Sequence, residues 1–491
     1  MKNQIKTPYS SYLVQPHSVP AGNFTQAAGF KRLGIHHVTL KPGEVSSLPH
    51  AESHEEEFVY VVSGNPHAWI DGYVYELKPH CAVGFPAGTG IAHNFINNSN
   101  EDVELIVAGE RTKKENLCAF PINPEQAQKS PIWWPDAPKR ELGPHNGKAG
   151  PVRPNEVGPT WPSCIINCLE QKLDFGWHYP GDSETFGNYT RLTNLLNLKV
   201  LGIGFEVLKP NKRSAFPHAH LKEEEFVFIL KGKADVWMNG YVEAAPIGTA
   251  ALFVPGTNIS HTIINNTQED IIYLCIGEAT DPDGPDKIIY PLHEFRNSQC
   301  KRVDGFWSDR PTDVPFGAHN GRPDAGLGEH LSFHHAKPEV VLDLFKRSPS
   351  YFMQIDGVPP SEKSVELALS EGPDTLGKTS LKESIVITHN DKPIGFADVI
   401  IHHPDKNMAY LGLLLLTEDK IGQGLGRKCY ELLEHYLKTS WKIEKIKLGV
   451  SEGKDHSGFW LKMGYNKNGK TYRWQGQAKT TEVVEFEKPT S

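Results

Sequence analysis

The chain has 491 residues, a formal net charge of −8 and 38% hydrophobic residues. This length leaves room for about three domains of ordinary size. The acidic balance, with no basic tract, excludes a general nucleic-acid binder. Seven cysteines, few and odd in number, indicate a reducing compartment rather than a disulfide framework. A polar N-terminus and the lack of a long apolar run predict a cytoplasmic protein that does not contact a membrane.

The first element in chain order is a long internal repeat. Residues 49–60, PHAESHEEEFVY, are echoed by residues 217–228, PHAHLKEEEFVF. Each copy is built of short apolar or alternating runs that end at Gly, Pro, Asn or Asp, as strands do. Asp71-Gly72 and Asn239-Gly240 are typical of hairpin turns. The repeat predicts two copies of one antiparallel β-barrel or jelly-roll-like domain.

Two connectors rich in Trp, Pro and Gly, at 134–147 and 307–321, also resemble each other. Their duplication predicts ordered arms that pack against the two copies. After about residue 337 the pattern changes to alternating strands and helices, which predicts an α/β domain. The predicted domains are 1–150 and 151–330, each a β domain with its connector, and 337–491.

The second copy carries a set of residues that can bind a metal. His218 and His220 lie two apart on one predicted strand, so their side chains point the same way. Glu225 on the neighbouring run and His261 on a distant strand can complete the site. Three imidazoles and one carboxylate, with open positions for water or substrate, suit Fe(II), Mn(II), Ni(II) or Zn(II).

The first copy departs from this set, because Glu52 stands where the second copy has a histidine. Its candidate ligands are His50, Glu52, Glu57 and His93, a harder and more anionic combination. His54 shares the strand parity of His50 and is an alternative ligand. We expect a divalent metal in the second copy and treat the first copy as a second candidate.

These residues carry a family resemblance. The spacing H-x-H-x4-E-x6-G that starts at His218 resembles the first motif of the cupin superfamily, and residues 248–265 are similar to the second. The resemblance covers about residues 31–110 and 199–279 and is closest to a family with two cupins in one chain. It implies a double-stranded β-barrel with a metal inside.

Both copies contain a glutamate triplet, at 55–57 and 223–225. Because side chains alternate along a strand, only one or two members of each triplet can face the interior. We expect the other glutamates to lie on a solvated rim.

The third domain carries a second resemblance. Residues 413–427, LLLLTEDKIGQGLGR, resemble the acyl-CoA-binding motif of the GNAT N-acetyltransferases, and residues 459–465, FWLKMGY, resemble their closing helix–strand signature. A strand leading into a glycine-rich turn lets helix N–H groups bind a pyrophosphate. The resemblance implies acetyl-CoA, bound by Leu415, Leu416, Thr417, Gly422, Gln423, Gly424, Leu425, Gly426 and Arg427.

The same family transfers an acetyl group by direct attack of an amine, helped by a base and often a tyrosine acid. The tyrosine of the closing motif is Trp460 here. Tyr465 is therefore the candidate acid, and Asp398 and Glu418 are candidate bases. Each of the two carboxylates has a structural or surface role as its alternative.

The leading hypothesis is an acetyl-CoA-dependent N-acetyltransferase of a small amine, fused to a metal-binding bicupin that binds or modifies a small metabolite. One alternative is a non-catalytic bicupin sensor that regulates the transferase. Another is a metal-dependent cupin oxygenase or isomerase with a degenerate GNAT domain. The expected partners are small molecules, and both a monomer and a homodimer fit the sequence.

Overall fold

The computed structural model describes residues 7–111, 113–279, 284–370, 380–451 and 457–490. The chain divides into two compact units. One unit comprises residues 1–177, 186–293 and 300–326, and the other comprises 178–185, 294–299 and 327–491. This division does not test the three predicted domain ranges, which stay predictions.

The first copy of the repeat is a set of short strands, as the sequence pattern predicts. They are Leu33–Leu40, Ala51–Glu52, Glu57–Ser63, His67–Ile70, Tyr73–Glu76, Cys81–Phe85, His93–Ile96, Val103–Glu110 and Cys118–Ala119. Four of these strands form a five-stranded sheet together with Ile165–Asn167, three form a smaller sheet, and the other two form a separate ladder. Buried residues from both sheets, such as Val59 and Ile70, share one apolar core.

The second copy repeats this arrangement. Its strands are Leu201–Leu208, Lys212–Arg213, Ala219–His220, Glu225–Lys231, Lys233–Met238, Tyr241–Pro246, Ala250–Phe253, His261–Asn265, Ile271–Glu278 and Ile288–Ile289. Four of these strands form a six-stranded sheet together with Leu13–Val14 and Asn188–Arg191, four others form a second sheet, and the remaining two form a ladder.

The two copies exchange edge strands. Leu13–Val14, which precedes the first copy, pairs with Ala250–Ala251 of the second. Ile165–Asn167, which precedes the second copy, pairs with residues 81–83 of the first. A buried cluster that includes Phe58 and Phe226 joins the two larger sheets, so the copies form one unit with a shared core.

Other elements of this unit are short. They are the strand Asn188–Arg191, the helices Phe24–Ala28, Pro124–Lys129 and Leu192–Leu195, and the 3-10 turns Ser10–Tyr12, Pro16–Ser18, Pro20–Gly22, Pro154–Glu156 and Cys168–Glu170. The predicted packing of the connectors is confirmed: the indole N–H groups of Trp69 and Trp237 donate to the carbonyls of His145 and His319, at 2.9 and 2.8 Å.

The middle glutamates of the two triplets link the copies. Glu224 accepts hydrogen bonds from the N–H groups of residues 31–33 in the first copy. Glu56 accepts from the N–H groups of residues 199–201 in the second. Both side chains are 3% exposed. The prediction of a solvated rim is therefore wrong for them, because each carboxylate binds the backbone of the other copy.

The second unit is a seven-stranded sheet with helices on both faces. In spatial order its strands are Leu331–His335, Leu381–His389, Lys392–Ile401, Met408–Leu416, Lys445–Ser451, Thr480–Pro489 and Asn466–Gln475. Its helices are Pro338–Lys346, Pro349–Ile355, Glu362–Ser370, Leu425–Trp441 and Ser457–Lys462, with a 3-10 turn at Glu418–Lys420. Glu294–Arg302 is a further helix of the chain.

The long helix Leu425–Trp441 shows why this unit folds as it does. Its apolar side recurs at helical spacing, for example at Leu425, Cys429, Leu433 and Tyr436, and packs into the core on one face of the sheet. Among the described residues, no helix combines the length and the apolarity that crossing a membrane requires.

Candidate metal centres and acyl-CoA site

In the second copy the structure brings the four predicted ligands together. The ligand atoms of His218, His220 and Glu225 all lie within 4.8 Å of one another. His261 adds its Nε2, which lies 3.0 Å from Oε2 of Glu225. These residues come from three separate strands and the turn before them, so the cluster depends on the tertiary fold.

Hydrogen bonds fix which imidazole nitrogen faces the cluster. The Nδ1 of His218 lies 2.8 Å from the carbonyl of Phe216, and the Nδ1 of His220 lies 2.6 Å from a carboxylate oxygen of Asp286. Both acceptors require the proton on Nδ1, which leaves Nε2 as the ligand atom. Phe253 stacks on His261 with ring centroids 3.6 Å apart.

The charges of this cluster suit a cation. Burial lowers the pKa of His218 to about 3, helped by its imidazole neighbours. Burial also disfavours the charged form of His220, but the hydrogen bond to Asp286 and nearby glutamates raise its pKa to about 9. Burial opposes ionisation of Glu225, yet the imidazoles outweigh it and hold its pKa far below the usual range. The site therefore offers an ionised carboxylate.

The first copy forms a smaller group. The ligand atoms of His50, Glu57 and His93 lie within 4.8 Å of one another. Backbone carbonyls two residues earlier accept from the Nδ1 of both histidines, at 2.9 and 3.1 Å. The Nε2 of His93 is buried, has no hydrogen-bond partner among the described residues, and lies 3.4 Å from Glu57. A buried nitrogen that faces a carboxylate in this way fits a bound cation.

Glu52 lies beside this group but outside it. Burial raises the pKa of Glu52 to about 7, and the charges of Glu57 and Glu55 add to the shift. Its Oε1 accepts from the side-chain amide of Asn116 at 3.3 Å. The alternative ligand His54 is exposed and pairs with Ser53, so the structure does not bring it to the cluster.

In the second unit the glycine-rich turn is open. Gly422 and Gly424 have φ angles of 82° and 77°, and a Cβ at either would meet no atom within 4 Å. Gly424 is the N-cap of the long helix, and no side chain in the described part of the chain caps that end. The N–H groups that begin the helix are thus available to an anion.

The strand before this turn separates from its parallel neighbour. Residues 408–411 pair with residues 445–448, whereas 412–416 do not pair with that strand. On its other side the same strand stays paired as far as Leu416, with an irregularity opposite Gly412. Among the described residues, the separation leaves 412–416 without a strand partner at that edge, where an extended ligand can bind.

Comparisons with known proteins agree with this arrangement. The cupin domain model matches residues 36–109 and 204–277, and the acetyltransferase (GNAT) family model matches residues 353–465. The chain is a bicupin fused to a GNAT-family domain. A comparison with curated proteins gives no match.

Among solved structures, the bicupin part resembles oxalate decarboxylases and a dioxygenase. The Lactobacillus farciminis oxalate decarboxylase is 17% identical over 61% of this chain and 91% of its own, with a TM-score of 0.35. A Bacillus subtilis oxalate decarboxylase is 16% identical over 60% and 78%, with a TM-score of 0.34. The salicylate 1,2-dioxygenase of Pseudaminobacter salicylatoxidans is 13% identical over 50% and 71%, with a TM-score of 0.35.

Cupin two contains polar residues that the sequence prediction missed. The hydroxyl of Tyr273 donates to Glu206 at 2.6 Å, and the thiol of Cys275 lies 3.5 Å from Glu225. Burial raises the pKa of Glu206 to about 7, Tyr273 opposes the shift and Glu225 adds to it. The proposed ligand Glu225 is thus linked to an inner row of groups that can hold protons.

A comparison of the two copies position by position could have revealed this row. The corresponding residues of cupin one are apolar: Val38, Leu105 and Val107.

The predicted acetyl-CoA-binding residues of the GNAT domain lie on both sides of the glycine-rich turn and differ in exposure. Leu415, Thr417 and Leu425 are buried, so only their backbone can serve a ligand, and Leu416 is partly buried. Gln423 and Arg427 are exposed, and Gly426 lies in the first turn of the helix. The amide of Gln423 donates to the carbonyl of Asp419 at 2.6 Å.

The candidate catalytic residues lie in different surroundings. Tyr465 is 1% exposed and accepts from the hydroxyl of Tyr430 at 3.0 Å, so its hydroxyl faces the core. The carboxylate of Glu418 accepts from the backbone N–H of Ser350 at 2.8 Å. Asp398 pairs with Lys382 at 2.9 Å, and its Oδ1 is buried without a partner among the described residues.

A tyrosine pair, also missed from the sequence, lies where the two parallel strands part. The hydroxyls of Tyr410 and Tyr472 are 2.7 Å apart. Both lie against Gly449, where a Cβ would come within 2.4 Å of the Tyr472 oxygen. Burial raises the pKa of Tyr472, so its hydroxyl keeps its proton at neutral pH and can donate it.

Proposed function

We propose that the chain is an acetyl-CoA-dependent N-acetyltransferase of a small-molecule amine, joined to a metal-binding bicupin that binds or modifies a small metabolite. The observation that carries the transferase role is the open glycine turn at the end of a strand that parts from its parallel neighbour. Such an edge holds an extended thioester, and the helix start beyond it holds phosphate.

In this reaction the amine nitrogen attacks the thioester carbon, the carbon–sulfur bond breaks, and the amine loses a proton while the thiolate gains one. Asp398 has a carboxylate oxygen without a hydrogen-bond partner among the described residues, and is favoured over Glu418 as the group that binds or deprotonates the amine. The pair Tyr410 and Tyr472 is a better placed proton donor than Tyr465.

The bicupin role rests on the two clusters of imidazoles and carboxylates. A bound Fe(II), Mn(II), Ni(II) or Zn(II) would supply Lewis acidity or redox chemistry to a ligand in the open positions. His218, His220, Glu225 and His261 would hold it in cupin two, and His50, Glu57 and His93, with Glu52 beside them, in cupin one. The polar row of cupin two makes that copy the favoured place for chemistry on a metabolite.

One substitution tests the acetyl-CoA site against a matched control. Gly424 and Gly469 both have positive φ and open space for a Cβ, so valine strains both alike. We expect Gly424→Val to weaken acetyl-CoA binding, measured by calorimetry, by at least roughly tenfold, because its Cβ lies where phosphate must approach. Gly469→Val should bind as the parent does.

Activity is then measured as thiol release from acetyl-CoA with a panel of amines. Equal acetyl-CoA affinity in both variants, or no thiol release with any amine, would overturn the transferase proposal. Metal analysis of the His218→Ala/His261→Ala protein tests the bicupin separately, and a metal content equal to that of the parent would remove the ligand assignment in cupin two.

A further inference from the structure

The two cupins differ at one candidate ligand position, and the residue next to that position differs as well. Glu52 of cupin one lies next to Asn116, and His220 of cupin two lies next to Asp286. The strand ladders align residue 52 with 118 and residue 220 with 288, so Asn116 and Asp286 occupy the same place. Cupin one thus pairs a carboxylate, Glu52, with an amide, Asn116. Cupin two pairs an imidazole, His220, with a carboxylate, Asp286.

In cupin two, the carboxylate of residue 286 accepts hydrogen bonds at both of its oxygens. One oxygen of Asp286 lies 2.6 Å from Nδ1 of His220, and the other accepts from the backbone N–H of Lys222 at 2.8 Å. Because both carboxylate oxygens of Asp286 are acceptors, the one facing His220 keeps the imidazole proton on Nδ1 and leaves Nε2 free to coordinate.

In cupin one, residue 116 needs one acceptor and one donor. Oδ1 of Asn116 accepts from the backbone N–H of His54 at 3.0 Å. Because a backbone N–H can only donate, the amide nitrogen must face Glu52, and it donates to that carboxylate at 3.3 Å. The neighbour of Glu52 is therefore a donor, as an anionic group requires.

We propose that Asn116 and Asp286 are positioning residues, each matched to the ligand of its own copy, and that cupin one is a built metal site of different charge rather than a decayed one. This inference rests on the proposed metal role of the bicupin. An amide at 286 would turn its NH2 toward Nδ1 of His220 and move the proton to Nε2, the ligand atom. A carboxylate at 116 would set a second anion against Glu52.

With Glu52 completing the group of His50, Glu57 and His93 when a cation binds, the two sites would differ by one carboxylate. Cupin one would then offer two imidazoles and two carboxylates, and cupin two three imidazoles and one carboxylate. The extra carboxylate makes cupin one the harder site, which favours a metal such as Mn(II) over one that prefers nitrogen ligands.

A double-mutant cycle on the full chain tests the match. In protein whose cupin two is emptied by His218→Ala/His261→Ala, Mn(II) affinity is measured by electron paramagnetic resonance for Glu52→His, Asn116→Asp and both together. We expect each single change to weaken Mn(II) binding about tenfold or more. Multiplying the two single losses gives the loss expected if the changes act independently, and the double variant should bind at least roughly tenfold tighter than that.

Asp286→Asn, His220→Glu and their combination form the matching cycle in protein emptied by His50→Ala/His93→Ala. Asp and Asn both accept the backbone N–H, so Asn116→Asp and Asp286→Asn should leave the metal-free fold intact, with a smaller loss of melting temperature than the loss of Mn(II) affinity would require. A loss of melting temperature that accounts for the affinity change would overturn the positioning role.

The two proposals fail in different ways. If the parent with one emptied cupin binds Mn(II) but the two substitutions act independently, the matching inference is wrong and the metal role stands. If neither parent binds Mn(II), Fe(II), Ni(II) or Zn(II), the metal role is wrong and the inference falls with it.

Discussion

Single residues make the interiors of the two cupins chemically different. Glu206 of cupin two replaces Val38 of cupin one, and its carboxyl is held by the hydroxyl of Tyr273 at 2.6 Å. A buried carboxyl is stabilised in its neutral form, because an ion loses its hydration there. Cupin two thus keeps a proton near Glu225 at pH values where exposed glutamates are ionised.

This residue predicts a pH dependence of stability. Burial raises the pKa of Glu206 to about 7, so between about pH 4.5 and 7 the folded state binds more protons than the unfolded state. Its contribution to stability is therefore full below this window and is lost as the pH rises through it. Gln at this position keeps a hydrogen-bond acceptor but does not titrate.

We expect Glu206→Gln to gain stability relative to the parent as the pH rises from 5 to 8, by roughly 3 kcal/mol at most. The measurement is urea unfolding of metal-free protein at several pH values. Glu76→Gln, an exposed change in cupin one, is the control. Parallel stability curves for Glu206→Gln and the parent would show that this carboxyl does not carry the shift.

At the scale of elements, two neighbouring glutamates at the start of one strand have different contacts in each cupin. Glu57 and Glu225 face the proposed metal sites, whereas Glu56 and Glu224, one residue earlier, bind the backbone of the other copy. Strand alternation sends neighbouring side chains to opposite faces. The position of each proposed carboxylate ligand is therefore fixed by a contact with the other cupin.

The anchoring glutamates predict a loss of stability that is the same in both copies. Each carboxylate accepts from three backbone N–H groups, which stay buried if the side chain is removed. We expect Glu56→Ala and Glu224→Ala each to lower the unfolding free energy by about 2–4 kcal/mol. Gln, with one acceptor oxygen, should cost less than Ala.

Thermal unfolding of metal-free protein measures these losses, with Glu101→Ala at an exposed site as the control. If Glu56→Ala and Glu224→Ala lost no more stability than the control, water would be replacing the carboxylates at these N–H groups.

On the scale of the whole molecule, repetition made much of the architecture predictable. The copied segment gave the strands of both cupins, and the hairpin turns at Gly72 and Gly240 have positive φ as those turns require. The strand, glycine turn and helix from 408 to 441 also follow from local pattern. Such features depend on residues close together in sequence.

Features that depend on distant contacts were missed. Asn116 and Asp286 are 170 residues apart whereas the motifs repeat at 168, so a register comparison passes over them. The burial of Tyr465 beside Tyr430 and the pairing of residues 181–183 with 331–333 arise only in the folded chain. Sequence periodicity fixes which face a side chain takes but not what lies opposite it.

The two proposed sites lie in different units, so each ligand should slow amide exchange in its own unit. Without ligand, the N–H groups at 425–427 lack a side-chain cap and should exchange fast. Acetyl-CoA at about 100 times its Kd should slow exchange near these groups and at 412–417 by up to roughly 100-fold. Mn(II) should instead protect segments around His50, His93, His218 and His261.

Hydrogen–deuterium exchange with mass spectrometry measures both patterns on one protein. The Gly424→Val variant supplies the control, since it should lose the acetyl-CoA pattern and keep the Mn(II) pattern. Because a bound anion must cover the helix start, protection by acetyl-CoA that leaves 425–427 unchanged would place the nucleotide elsewhere. It would do so even if the transferase reaction itself were observed.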